Sequence, residues 1–258
     1  LCPRNSTSPS ANPNKINLLN PAQLLQQAYR SPVTAGAPLN TPILPLIPLC
    51  TALALLGCKP NEQHTAQSTQ PQQGGTLVYA TDREPTCLDP HVAGDMPQVF
   101  IAQQYLDSLV SMDSNGQIGP WLATSWEVSP DGLRYTFHLR RDVQFTDGTP
   151  FNAEAVKANL DHMANPKTQS STAGGYIRQY RGTKVLDTYT AEVTLATPHA
   201  AFLEVLAQGF LGIQSPTALQ RSRDQNCESP VGSGPFKVVR WDRQNQVELV
   251  RNPAYNWA

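Results

Sequence analysis

Pro120 to Val156 reads PWLATSWEVSPDGLRYTFHLRRDVQFTDGTPFNAEAV. Within it Trp126 and Val128 alternate with polar neighbours, Ser129-Pro130-Asp131-Gly132 reverses the chain, and Leu133, Tyr135, Phe137 and Leu139 then alternate with Arg134, Thr136, His138 and Arg140. A period of two on either side of a turn specifies a half-buried antiparallel hairpin. A second turn, Asp147-Gly148, follows Phe145, and Asn152 with Glu154 opens a run in which Val156, Leu160 and Met163 share one helical face. Asp131 and Asp147 therefore read as turn carboxylates and Glu154 as part of a helix start, not as acid/base catalysts. Tyr135, Phe137 and Phe145 read as core.

On the N-terminal side, Thr76 to Thr81 predicts a strand, and Val99, Ala102, Leu106 and Leu109 predict one helical face. On the C-terminal side, Asn165 to Gly175 is a Ser-, Thr- and Gly-rich loop, followed by strands at Lys184 to Leu186 and Ala191 to Ala196. A helix near Ala200 to Ala207 leads into Phe210 to Ile213, and Phe236 to Trp241 with Gln246 to Val250 predicts a strand pair. Strands and helices are mixed without internal repeats, which makes the fold class α/β or α+β.

A chain of 258 residues with 40% hydrophobic content can bury a sizeable core. A net charge of -1 and scattered Lys and Arg residues provide no basic field, so nucleic acid is not an expected partner. The chain has no HExxH, P-loop, GxGxxG or CxxC pattern, and Gly232-Ser233-Gly234 lacks the spacing of a nucleophile elbow. It reads instead as a tight turn. The histidines at 64, 91, 138, 162 and 199 are dispersed. No catalytic residue, metal ligand or cofactor is assigned.

Residues 1–57 differ in composition from the rest. Ile43 to Leu56 is apolar apart from Thr51, is interrupted by Pro45 and Pro48, and is too short to cross a bilayer, as expected of an export signal. Leu55-Leu56-Gly57-Cys58 resembles a bacterial lipobox, in which Cys58 becomes the lipidated first residue. Asn61 to Gln73 then forms a polar tether. Cys2 and Cys50 fall in the leader, so Cys87 and Cys227 remain. An even pair in an oxidising compartment suggests one disulfide, the alternative being two separate buried thiols.

Pro120 to Val156 resembles the signature region of the extracytoplasmic solute-binding proteins, family 5, which serve peptide and nickel ABC importers. Three more blocks match in order: Gly74-Gly75-Thr76-Leu77 with Leu88-Asp89-Pro90, then Pro230-Val231-Gly232-Ser233-Gly234-Pro235-Phe236, and Arg251-Asn252-Pro253-Ala254-Tyr255. The resemblance implies a periplasmic-binding-protein-like type II lobe with an inserted subdomain. The corresponding division is 1–57 leader, 58–75 tether, 76–110 first part of lobe I, 111–206 subdomain, and 207–258 return to lobe I. The family continues past the last block, so the expectation is of a fragment or truncated product whose second lobe is missing.

In the family one wall of the ligand cleft comes from the loop after the first strand, the loop after the helix that Asn152 opens, and the strand before the Pro230–Phe236 block, here Ala93 to Gln98, Ser170 to Tyr176 and Gln208 to Phe210. The residues that this implies for ligand contact are Asp95, Gln98, Tyr176, Gln208 and Phe210. The second of these loops lacks the Arg, His and Trp cluster associated with nickel-chelate binding, which favours a peptide-like or other small organic solute. The implied partners are that solute and the permease subunits of an ABC importer, served by an exported, lipid-anchored monomer. The competing expectation is a non-transporting remnant, or a scaffold or chaperone-like lipoprotein that reuses the fold. A third class, a hydrolase, has no nucleophile motif behind it.

Overall fold

The computed structural model describes the backbone of residues 15–19 and all of residues 74–258. In chain order the strands are β1 (Lys15–Leu19), β2 (Thr76–Ala80), β3 (Val110–Met112), β4 (Ile118–Pro120), β5 (Ala123–Val128), β6 (Arg134–Leu139), β7 (Tyr180–Asp187), β8 (Thr190–Leu195), β9 (Phe236–Asp242) and β10 (Gln246–Arg251). The α-helices are α1 (Met96–Tyr105), α2 (Ala153–Ala164), α3 (Ala173–Tyr176), α4 (Phe202–Leu206), α5 (Pro216–Leu219) and α6 (Arg223–Glu228). Short 3-10 turns occupy Pro166–Thr168 and Gly209–Leu211. The proposed export signal at Ile43 to Leu56, Cys58 and the polar stretch Asn61 to Gln73 lie outside the described residues. No helix among the described residues is long and apolar enough to cross a membrane.

The hairpin expected from the opening stretch is β5–β6, with Trp126 opposite Phe137 and Val128 opposite Tyr135. Its turn forms because Gly132 takes φ +68° and the Asp131 carboxylate accepts from the Leu133 N–H at 3.1 Å. β8 continues the sheet on β6 and β7 closes it, giving the antiparallel order β5-β6-β8-β7. Tyr135, Phe137, Leu139, Ala191, Val193 and Leu195 alternate onto one buried face. The buried side chains of α2, including Val156, Leu160 and Met163, join them in the main core. Asn152 starts α2 by accepting from the Ala155 N–H at 3.0 Å.

Several boundaries differ from the sequence expectation. Leu109 is buried but lies past α1, because the backbone at Asp107 leaves the helix to form a β-bridge with Ile213. β7 starts at Tyr180, ahead of the expected Lys184, with a bulge near Gly182. The Ser-rich loop contains α3, whose start is held by the Gly174 N–H donating to Ser170 Oγ at 2.8 Å.

The remaining large sheet has the order β2-β1-β10-β9, with β1 parallel to β2 and antiparallel to β10. The leader reading foresees no element at Lys15–Leu19. The backbone there nevertheless fills the slot between two strands whose facing N–H and C=O groups need partners. A second core joins this sheet to α1 through Leu88, Ile101, Ala102, Tyr105, Leu106, Val247 and Leu249. Cys87 and Cys227 form a disulfide with a sequence separation of 140, packed with Val92.

Candidate functional site

The three segments singled out in the sequence are adjacent in the structure, although the third, expected as a strand, is the 3-10 turn Gly209–Leu211 preceded by Gln208. The Ser171 N–H donates to the Val92 carbonyl at 3.0 Å, and Gly94 sits so close to Thr172 that a Cβ there would fall 2.5 Å from its side chain. The rings of Tyr176 and Phe210 meet at 4.8 Å between centroids. Gly209 lies against Gln103 of α1, where an added Cβ would come within 2.7 Å. The result is a continuous face made from the N-terminal end of α1, the loop into α3 and the 3-10 turn after α4.

The five singled-out side chains differ in how available they are. Asp95 is the N-cap of α1 and its carboxylate accepts from the Gln98 N–H at 3.1 Å, so its main work is to start the helix. The Gln208 amide donates back to the Glu204 carbonyl at 3.1 Å. Tyr176 is 49% exposed and offers an aromatic surface beside Phe210. Gln98 is fully buried, yet neither end of its amide has a hydrogen-bond partner, a costly arrangement for a polar group. Met96 and Phe100 were not singled out, but both are exposed, and with Gln103 they share one face of α1 at helical spacing. Their i, i+4 pairing was available in the sequence; their exposure was not. Met96, Phe100, Tyr176 and Phe210 give the face an apolar character.

Behind this face lies a buried polar network built on Asp89 and His91. One Asp89 oxygen accepts from the His91 N–H at 2.9 Å and from Gln214 Nε2 at 2.6 Å, and the other accepts from Asn226 Nδ2 at 2.7 Å. Asn159 of α2 accepts from the Gln214 N–H at 2.8 Å and donates to the Gln214 carbonyl at 2.8 Å. The Gly212 carbonyl at 2.8 Å requires a proton on His91 Nε2, and Gln214 Nε2 at 3.2 Å donates to Nδ1, which fixes the neutral tautomer. The network joins the Leu88-Asp89-Pro90-His91 segment to α2, α6 and the strand-like segment at Gln214. It therefore holds the loop that carries the candidate face.

The imidazoles of buried His91 and half-buried His162 bind protons less readily than usual. Burial lowers the His91 pKa against the opposing pull of Asp89 and the Gly212 carbonyl. Burial also lowers that of His162, and the His91 ring, 5.7 Å away between centroids, adds to the effect while Asp89 opposes it. An unfolded chain takes up protons on these residues below about pH 6.5, while the folded chain resists, so their stabilisation is full above that value and lost as pH falls toward the lowered folded values. The thermal midpoint is expected to fall between pH 7.5 and 5.5, and His91→Gln, which keeps a donor for Gly212, is expected to flatten that slope. Calorimetry across this window checks it; an unchanged slope in the variant would contradict the assignment.

Nothing resembling a catalytic constellation is assembled among the described residues. Ser233 is buried and donates to Asp107 at 2.7 Å, with no histidine beside it. Gly232 and Gly234 are not at positive φ, so the expected tight turn is not what requires them; both press against the backbone of Tyr105. His138 is half-exposed and its Nε2 lies 3.7 Å from the Glu127 carboxylate. Among the described residues, no three His, Cys, Asp or Glu side chains are grouped as a metal site.

Known proteins resemble this chain over the same region. The model of the bacterial extracellular solute-binding proteins, family 5 (middle), matches residues 117–258. The glutathione-binding protein GsiB of Salmonella choleraesuis is 35% identical over 179 residues, covering 69% of this chain and 35% of that protein. The chain thus spans about a third of the length of the curated relatives it matches. Among solved structures, AgaA of A. tumefaciens R10 in complex with agropinic acid matches with a TM-score of 0.62 at 32% identity, over 67% of this chain and 35% of that one. DppA of Helicobacter pylori in complex with the peptide STSA gives 0.60 at 30% identity, over 67% and 38%. NikZ of Campylobacter jejuni with Ni(L-His) gives 0.60 at 29% identity, over 67% and 34%.

Proposed function

Because the chain belongs to the bacterial extracellular solute-binding proteins of family 5, we propose that it serves as a receptor that captures a peptide-like or other small organic solute and delivers it to an ABC permease. The observation that carries this reading is the face formed by these three segments, where Met96, Phe100, Tyr176 and Phe210 present apolar surface and the rings of Tyr176 and Phe210 meet. Apolar walls with a few fixed polar groups are how binding sites hold small solutes. In this reading 76–110 and 207–258 contribute one lobe and 111–206 its subdomain. Affinity comes from enclosing the solute against an opposing wall rather than from bond chemistry. The chain acts without catalysis, outside the cytoplasm, with Cys58 as the lipid attachment point.

The relatives' ligands support a solute bearing amino-acid groups: glutathione, the peptide STSA and an L-histidine chelate. Calorimetric titration with glutathione and with peptides of two to four residues tests the proposal. Saturable binding is expected for at least one of them. Tyr176→Ala and Phe210→Ala are each expected to weaken it about tenfold, roughly 1.4 kcal/mol, while the thermal midpoint moves little in the Tyr176 variant because that side chain is half-exposed. Unchanged affinity in both variants would remove this face from the binding site.

A further inference from the structure

Asp107 is a buried carboxylate with no cationic partner among the described residues. It is 4% exposed and accepts from Trp121 Nε1 at 2.9 Å, Ser233 Oγ at 2.7 Å and Tyr255 Oη at 3.5 Å, all neutral donors. Among the described residues no Lys or Arg lies within ion-pair distance of it. Arg140, the cation beside this cluster, is bonded to Asp142 at 3.2 Å and stacks over the Trp257 ring at 4.8 Å. Burial pushes the Asp107 pKa upward, against the three hydrogen bonds. Buried charges are normally paired, so this carboxylate is poised to gain from a positive group.

Asp107 also lines a cavity of about 270 Å³, together with Trp121, Tyr255, Gln103, Ser108 and Ser111. Its chemistry suits one kind of ligand group. Trp121 and Tyr255 are aromatic walls of the sort that attract a cation. The Ser108 hydroxyl already donates to the Gln208 carbonyl at 3.4 Å and the Ser111 hydroxyl to the Pro120 carbonyl at 3.3 Å, so both oxygens are left as acceptors. A carboxylate, two aromatic rings and two acceptor hydroxyls complement a group that carries positive charge and several N–H donors.

We propose that this cavity binds the primary ammonium group of an organic solute, with Asp107 supplying the counter-charge and Ser108 and Ser111 accepting N–H bonds. The volume suits a head group and a short chain. The proposal deepens the solute-receptor reading and rests on it for its physiological meaning, but the binding of simple amines to the cavity is independent of that reading.

The experiment titrates the full chain with n-propylammonium chloride, dialanine and N-acetyl-dialanine against matched potassium chloride, following the Trp121 indole N–H by ¹⁵N NMR. Propylammonium and dialanine are expected to shift that signal saturably, and the acetylated peptide to bind at least tenfold more weakly. Asp107→Asn is expected to lose propylammonium binding at least tenfold; if that variant does not fold, Ser111→Ala, expected to weaken it severalfold, takes its place. Equal binding of the free and acetylated peptides, or a propylammonium response no different from potassium chloride, would overturn the ammonium site. Free and acetylated peptides binding equally would leave the receptor reading intact. Propylammonium binding to the cavity with no response to any peptide would keep the site and sink the receptor reading for peptide-like solutes.

Discussion

Replacing Gly232 with alanine is expected to abolish cooperative folding or to cost well over 3 kcal/mol of stability. A Cβ at this position would lie 1.9 Å from the Tyr105 carbonyl oxygen, inside any tolerable contact. Gly234 faces the same wall, 2.6 Å from the Tyr105 carbonyl carbon. That backbone cannot easily retreat. The Gly234 N–H donates to the Tyr105 carbonyl at 3.1 Å, the Tyr105 hydroxyl donates to the Leu88 carbonyl, and Tyr105 is nearly fully buried in the second core. Ordinary overpacking of side chains costs about 1–3 kcal/mol, and here main chain has to move. Gly175→Ala is the matched control, since nothing lies within 4 Å of its added Cβ and its φ is not positive. It is expected to be neutral or stabilising by a few tenths of a kcal/mol. Circular dichroism melts of the two variants test the contrast, and a Gly232→Ala midpoint equal to wild type would refute the packing argument.

Reduction of the Cys87–Cys227 disulfide is expected to be the next largest perturbation. The bond closes a loop of 140 residues, for which the chain-entropy model gives about 5 kcal/mol. A domain with the usual 5–15 kcal/mol of total stability would lose much of it. The bond also holds the Leu88 N–H on the Cys227 carbonyl at 2.9 Å, immediately beside Asp89 and Asn226 of the polar network. Removing it therefore loosens the loop leading to α1 and α6 together. A fall in the thermal midpoint on the order of 10–20 °C is expected in the Cys87→Ala/Cys227→Ala double variant. A shift of only a degree or two would mean that the polar network alone fixes this corner. Both sulfurs are nearly buried, so reductant is expected to act slowly on the native chain.

What could be read from the sequence was what is local. The alternation around Asp131-Gly132 specified the β5–β6 pairing, and Asn152 specified the start of α2, because a two-residue period and an N-cap are properties of neighbouring residues. The leftover cysteine pair was likewise countable, and it is bonded. Long-range needs were not legible. Asp89 and Gln214 are 125 residues apart and Asp107 and Ser233 are 126 apart, so nothing in their local spacing announces a shared network. Gly232 looked like a turn glycine, whereas its requirement comes from Tyr105 in a different segment. At the candidate face, the family resemblance singled out three segments that the fold brings together, but it could not separate side chains used for capping, such as Asp95, from those left open, such as Tyr176. That distinction depends on which hydrogen bonds the folded backbone leaves unmade.

The most direct measurement is native mass spectrometry of this protein isolated from the envelope fraction of its own host, followed by denaturation to release whatever is bound. A solute receptor is expected to carry a stoichiometric small organic molecule, with a polypeptide mass that begins at an acylated Cys58 and retains one disulfide. A protein recovered without lipid from the cytosolic fraction, empty and unresponsive to added glutathione or short peptides, would contradict the receptor function.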